Sequence, residues 1–133
     1  MNQSMTPLRV DHLALWVADL ERMRDFYVGA LGGVSGPLYE NPRTGFRSYF
    51  VTFTDCRIEL MWEPGYGRNG SEAAGLGYAH VAMSTGSRAG VDQCIAELQE
   101  RGVRVVGAPR VTGDGYYEAV IEDPEGNRIE LIE

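Results

Sequence analysis

The chain repeats itself, and that repeat constrains its fold more than any other feature. Val10-Asp11-His12-Leu13-Ala14-Leu15 returns as Tyr78-Ala79-His80-Val81-Ala82-Met83, a strand pattern with histidine in the same slot. Arg57-Ile58-Glu59-Leu60 returns letter for letter as Arg128-Ile129-Glu130-Leu131, in the same order along the chain. The spacing from His12 to His80 nearly equals that from Glu59 to Glu130. Two short matches at a shared offset predict two copies of one supersecondary unit.

Each copy has the same anatomy. After the first histidine strand, Asp19 is a candidate N-cap, and Leu20, Met23, Phe26, Tyr27, Ala30 and Leu31 make a helical stripe ending at Gly32-Gly33. After the second, Ser87 caps a helix with Val91, Cys94, Ile95 and Leu98 on one face, stopped by Gly102. Short strands follow each helix, near residues 37–40, 46–53 and 57–63, then 103–106, 116–122 and 128–132. Thr54-Asp55, Gly113-Asp114-Gly115 and Asp123-Pro124-Glu125-Gly126-Asn127 supply the turns. The expected fold is α+β: one domain over 8–133, made of βαβββ modules at about 8–63 and 77–133. The Gly-rich stretch 64–76 reads as the linker.

Strand parity then selects candidate functional residues. His12 shares a face with Ala14 and Trp16, and Glu59 shares one with Arg57, Met61 and Glu63. His80 lies with Tyr78 and Ala82, and Glu130 with Arg128 and Ile132. Each stands opposite a largely apolar row. With helices covering those rows, the remaining faces are expected to curve into a channel containing all four residues. An Ile-Glu-Leu strand alone ordinarily carries a solvated carboxylate between buried neighbours; only in combination do the four residues point to a metal. The two histidines are the only ones in the chain, and they occupy equivalent slots. Two imidazoles and two carboxylates suit Zn²⁺, Ni²⁺, Mn²⁺ or Fe²⁺.

Composition excludes several classes. A net charge of −7 argues against nucleic acid and anionic membrane as partners. All twelve basic residues are arginine, which removes lysine Schiff-base chemistry. Cys56 and Cys94 lack CxxC spacing and are expected to be reduced thiols. No apolar run approaches the roughly 20 residues a membrane span needs, and the start lacks a signal-peptide pattern, so a cytoplasmic protein is expected. Arg47 and Tyr49, on one face of their strand, and the pair Tyr116-Tyr117 after a Gly-Asp-Gly turn are candidate substrate contacts, alongside Trp16, Met61 and Glu63.

These residues resemble the vicinal oxygen chelate superfamily, and glyoxalase I in particular, over nearly the whole chain. The pieces that carry the likeness are Val10–Leu15, Asp25-Phe26-Tyr27, Gly77–Ala82 and Glu122–Leu131. The resemblance implies paired βαβββ modules forming a curved mixed sheet around a metal cavity, in a homodimer. It implies one divalent metal per site, Ni²⁺ or Zn²⁺ first and Mn²⁺, Co²⁺ or Fe²⁺ next, on His12, Glu59, His80 and Glu130. The implied activity is that of a lyase or isomerase moving a proton on a metal-chelated hemithioacetal or related small oxo or hydroxy carbonyl compound. Glu130 or Glu59 is then the base.

The chain also departs from that pattern. Glyoxalase I usually carries an arginine for a glutathione carboxylate where Trp16 stands, and an asparagine where Glu63 stands. Related alternatives are a metal-dependent dioxygenase or epimerase. A non-catalytic protein sequestering a small molecule or antibiotic is another, its groove furnished by Trp16, Trp62, Tyr66, Tyr116 and Tyr117.

Overall fold

A computed structural model describes residues 10, 12–65, 80–112 and 115–133. The linker from Tyr66 onward, the Gly77-Tyr78-Ala79 approach to His80 and the Gly113-Asp114 turn lie outside the described residues, as does Asp11.

The elements run β1 (His12–Trp16), α1 (Leu20–Gly29), β2 (Val34–Ser35), β3 (Tyr39–Glu40), β4 (Arg47–Thr52) and β5 (Arg57–Trp62). The second module is β6 (His80–Ser84), α2 (Arg88–Glu100), β7 (Arg104–Val111), β8 (Tyr117–Glu122) and β9 (Arg128–Ile132). The first sheet has the order β1-β5-β4-β2, with β3 also pairing β4; the second has the order β6-β9-β8-β7. In both, the histidine strand runs parallel to the glutamate strand and the remaining pairs are antiparallel. These are two mixed sheets, each with one helix: the α+β architecture that the repeat predicts.

The helix signals act where expected. The Asp19 carboxylate accepts from Arg22 N–H, and the Ser87 hydroxyl from Gly90 N–H, so each helix start is capped by its own chain. Leu20, Met23 and Tyr27 on α1, and Val91, Ile95 and Leu98 on α2, are buried. They meet Tyr49, Val51, Ile58 and Leu60 of the first sheet and Ala119, Ile121, Ile129 and Leu131 of the second in one core cluster. Gly102 adopts φ 82° after α2, a left-handed stop closed to most other residues.

Two strands differ from expectation. The strand expected over 37–40 is reduced to β3, and an unexpected β2 precedes it, the two separated at Gly36-Pro37-Leu38. Its counterpart β7 continues to Val111, past the expected 106 and through Pro109. An edge strand tolerates proline, and register shifts at Val105/Gly107 and Gly107/Arg110 absorb the irregularity.

The modules are joined through the loop before β9. Buried Asp123 accepts the Tyr27 hydroxyl of α1 at 2.9 Å, as well as Glu125 N–H, Asn127 N–H and the Asn127 side-chain amide at 2.8–2.9 Å. The next carboxylate, Glu125, accepts Ala18 N–H and Asp19 N–H at 2.7–2.9 Å, placing negative charge at the N-terminal end of α1. Arg101 Nη1 donates to Gly29 O at 3.0 Å.

Burial, then the Asp123 charge and its hydrogen bond, push the Tyr27 hydroxyl well above the ordinary tyrosine range. Below about pH 10 both folded and unfolded Tyr27 keep the proton, so its contribution to stability is fully present. Above that the unfolded chain releases the proton while the folded one retains it, and stability falls as pH rises. Tyr49, Tyr117 and Cys94 are shifted the same way and add to this limb. Denaturant titrations from pH 8 to 11 are expected to show the loss, with a shallower limb in Tyr27→Phe; equal limbs in the two proteins would refute the assignment.

Candidate metal centre

The parallel pairing of β1 with β5 sets His12 beside Arg57, Ala14 beside Glu59 and Trp16 beside Met61. In the second module, β6 and β9 set His80 beside Arg128 and Ala82 beside Glu130. A small alanine therefore flanks each glutamate, leaving room for the imidazole two residues back to reach over. His12 Nε2 lies 3.6 Å from Glu59 Oε1, and His80 Nε2 lies 3.3 Å from Glu130 Oε2. The glutamates are the more enclosed partners, at 17% and 21% side-chain exposure against 37% and 42% for the histidines.

Both gaps exceed a well-made N–H···O hydrogen bond. They match the spacing of two donors around one ion, since bonds of about 2.1 Å at a tetrahedral angle hold their donors about 3.4 Å apart. Nitrogen and carboxylate donors with no thiolate suit a divalent first-row metal. On this geometry each pair fits as two of the ligands of such an ion.

The structure does not bring all four residues together in one chain. Among the described residues no three His, Cys, Asp or Glu side chains gather as a metal group. The single channel expected from parity is instead two matched half-sites, one on each sheet. Each histidine strand pairs within its own module, and the modules approach through the opposite rows. A small cavity between them is lined by Leu13, Leu15, Tyr27, Val81 and Ile129, with His80 at its edge. A larger cleft of about 840 Å³ is lined by Leu13, Leu31, Phe53, Val81, Met83 and Leu131 among others, and reaches Arg57, Ala82 and Ile132.

Around the first half-site, His12 meets the Phe50 ring edge-on at 5.2 Å between centroids, and the Arg57 guanidinium lies over the same ring, 4.3 Å from its centroid. Trp16 and Met61 share this face, and Trp16 is 39% exposed. Glu63 follows β5 two residues after Met61 and is partly buried. Tyr116 stands half-exposed before β8, its carbonyl accepting Thr112 N–H.

Three of the expected substrate contacts, Arg47, Tyr49 and Tyr117, lie on the other side of the sheets from Glu59 and Glu130. Register pairs Phe50 with Glu59, and Arg47 and Tyr49 with Trp62 and Leu60, so both point to the helix side. Tyr49 is buried there with its hydroxyl on Glu21 at 2.7 Å, and Arg47 stacks over Trp62 and pairs with Glu40. Tyr117 likewise turns to α2, donating to Asp92 at 2.6 Å beneath Arg88. Buried Ser48 and partly buried Phe50 share the side of Glu59 instead. Sequence parity missed them because both rows of β4 hold apolar side chains, leaving no contrast to read.

A family model described as Glyoxalase/Bleomycin resistance protein/Dioxygenase superfamily matches residues 9–131. Lactoylglutathione lyase of Escherichia coli O157:H7 is 33% identical over 130 residues, covering 95% of this chain and 93% of the relative. The Salmonella typhimurium enzyme of the same name is 34% identical over 128 residues, with the same coverage. Among solved structures, a glyoxalase family protein from Enterococcus faecalis superposes with TM-score 0.80 at 22% identity, over 94% of this chain and 97% of that one. A V278E variant of Zea mays glyoxalase I gives TM-score 0.79 at 23% identity, over 93% of this chain and 44% of that one. The structural likenesses carry the fold, and the family match carries the assignment. The chain belongs to the glyoxalase/bleomycin resistance protein/dioxygenase superfamily.

Proposed function

We propose that the protein is a cytoplasmic, metal-dependent lyase or isomerase of glyoxalase I type. Its substrate is a small hydroxycarbonyl compound or the thiol adduct of a 2-oxoaldehyde. Each active site joins His12 and Glu59 of one copy to His80 and Glu130 of a second copy. The observation that carries this reading is the pair of equivalent His–Glu half-sites, each with the donor spacing of one ion and neither supplying four ligands. The relatives named lactoylglutathione lyase support the reaction class.

A bound divalent metal would polarise the substrate's adjacent oxygens and acidify the neighbouring C–H. The chain supplies the rest. One glutamate carboxylate, Glu59 or Glu130, takes the carbon-bound proton and returns it to the adjacent carbon. The imidazole stands beside each glutamate, and the Phe50 ring limits the room around His12.

The test is metal analysis after reloading with Ni²⁺ or Zn²⁺, beside solvent-deuterium exchange into a hemithioacetal product. One tightly held ion per His₂Glu₂ set with exchange is the expected result. A protein that holds no metal refutes the reading and favours sequestration in the aromatic groove around Trp16.

A further inference from the structure

The face that carries His12 and Glu59 continues into an exposed aromatic shelf. Trp16 lies level with Met61, two residues along from the Ala14–Glu59 level, or about 7 Å along the strand. The Trp16 ring meets Phe46 edge-on at 6.2 Å, and Phe46 meets Tyr39 at 6.1 Å. Tyr39 pairs with Ser48, which pairs with Met61, so the shelf is on the same side of the sheet as Glu59. Trp16 and Tyr39 are 39% and 54% exposed, and neighbouring Leu38 is 42% exposed. Large apolar groups clustered and uncovered beside a polar centre are the usual wall of a small-molecule site.

The charges point the same way. The strand positions of this face hold one cation, Arg57, which sits at the far end over Phe50. At the Trp16 end the chain instead supplies Glu63, in a molecule of net charge −7. Among the described strand residues of this face, no arginine other than Arg57 stands to pair an anionic group placed on the shelf.

We propose that this shelf receives an uncharged aromatic or other apolar tail of the substrate, and that Trp16 is the residue that selects it. The proposal rests on the metal-centre reading, in that the tail belongs to a molecule anchored at His12 and Glu59. An apolar tail of that reach covers Trp16 and Tyr39 and leaves their polar edges at the rim.

The experiment compares hemithioacetals of one 2-oxoaldehyde made with benzyl mercaptan, 2-mercaptoethanol and glutathione, on the metal-loaded protein and Trp16→Ala. The benzyl adduct is expected to have at least about tenfold higher kcat/KM than the glutathione adduct. In Trp16→Ala the ratio of benzyl to mercaptoethanol adduct is expected to fall about tenfold, through KM. A preference for glutathione, or an unchanged ratio in Trp16→Ala, overturns the proposal. Calorimetric binding of a benzylthio-substituted 2-hydroxy acid makes the same comparison without turnover. Weaker binding to Trp16→Ala by a protein that holds no metal would keep the shelf and refute the metal centre. Equal binding to both proteins, with metal retained, would refute the shelf alone.

Discussion

Replacing Glu130 with alanine is expected to abolish tight metal retention and to lower proton exchange by at least about a thousandfold. The side chain is a half-buried carboxylate 3.3 Å from His80 Nε2, and it has Ala82 and Val120 as its register neighbours. None of these neighbours replaces a lost oxygen ligand. Glu130→Gln separates the two roles, because an amide keeps the shape and a weak oxygen donor but takes up no proton. A Gln variant that retains metal without exchange would make Glu130 the base; full exchange would leave that role to Glu59, tested by Glu59→Gln. Glu130→Ala that holds metal as tightly as the parent would contradict the ligand assignment.

Asp123→Ala is expected to destabilise the chain by about 3 kcal/mol, read from denaturant midpoints at neutral pH. Asp123 is 4% exposed and satisfies four donors, one of them the buried Tyr27 hydroxyl from the other module. Alanine leaves that hydroxyl buried without its acceptor and frees the loop that positions Glu125 against the start of α1. The effect should exceed that of Tyr27→Phe, which removes one donor and leaves Asp123 three. A loss below about 1 kcal/mol would mean that water readily takes the place of the carboxylate.

Much of this was legible in the sequence, for reasons that differ by residue. The repeat exposed the two modules, and strict alternation in His12–Trp16 and Arg57–Trp62 told which side chains share a face. Asp19 and Ser87 marked helix starts because their side chains cap locally, without help from the rest of the fold. β2 was invisible because its two residues become a strand only through pairing with Val51 and Thr52. The side taken by Arg47 and Tyr49 was not legible because both rows of β4 mix polar and apolar side chains, and register against β5 decides which row meets the helix. The separation of the four candidate residues into two His–Glu pairs was also beyond the sequence. Parity states which residues share a face, and tertiary packing decides which faces meet.

Mixing two inactive variants decides whether the centre is shared between copies. His12→Ala/Glu59→Ala destroys one half-site, and His80→Ala/Glu130→Ala destroys the other. If sites form between copies, reassociating equal amounts restores an intact site in each mixed dimer, and roughly a quarter of the wild-type metal and exchange activity returns. If each chain builds its own site, the mixture stays as inactive as its components, and the account of two half-sites joined across copies is wrong.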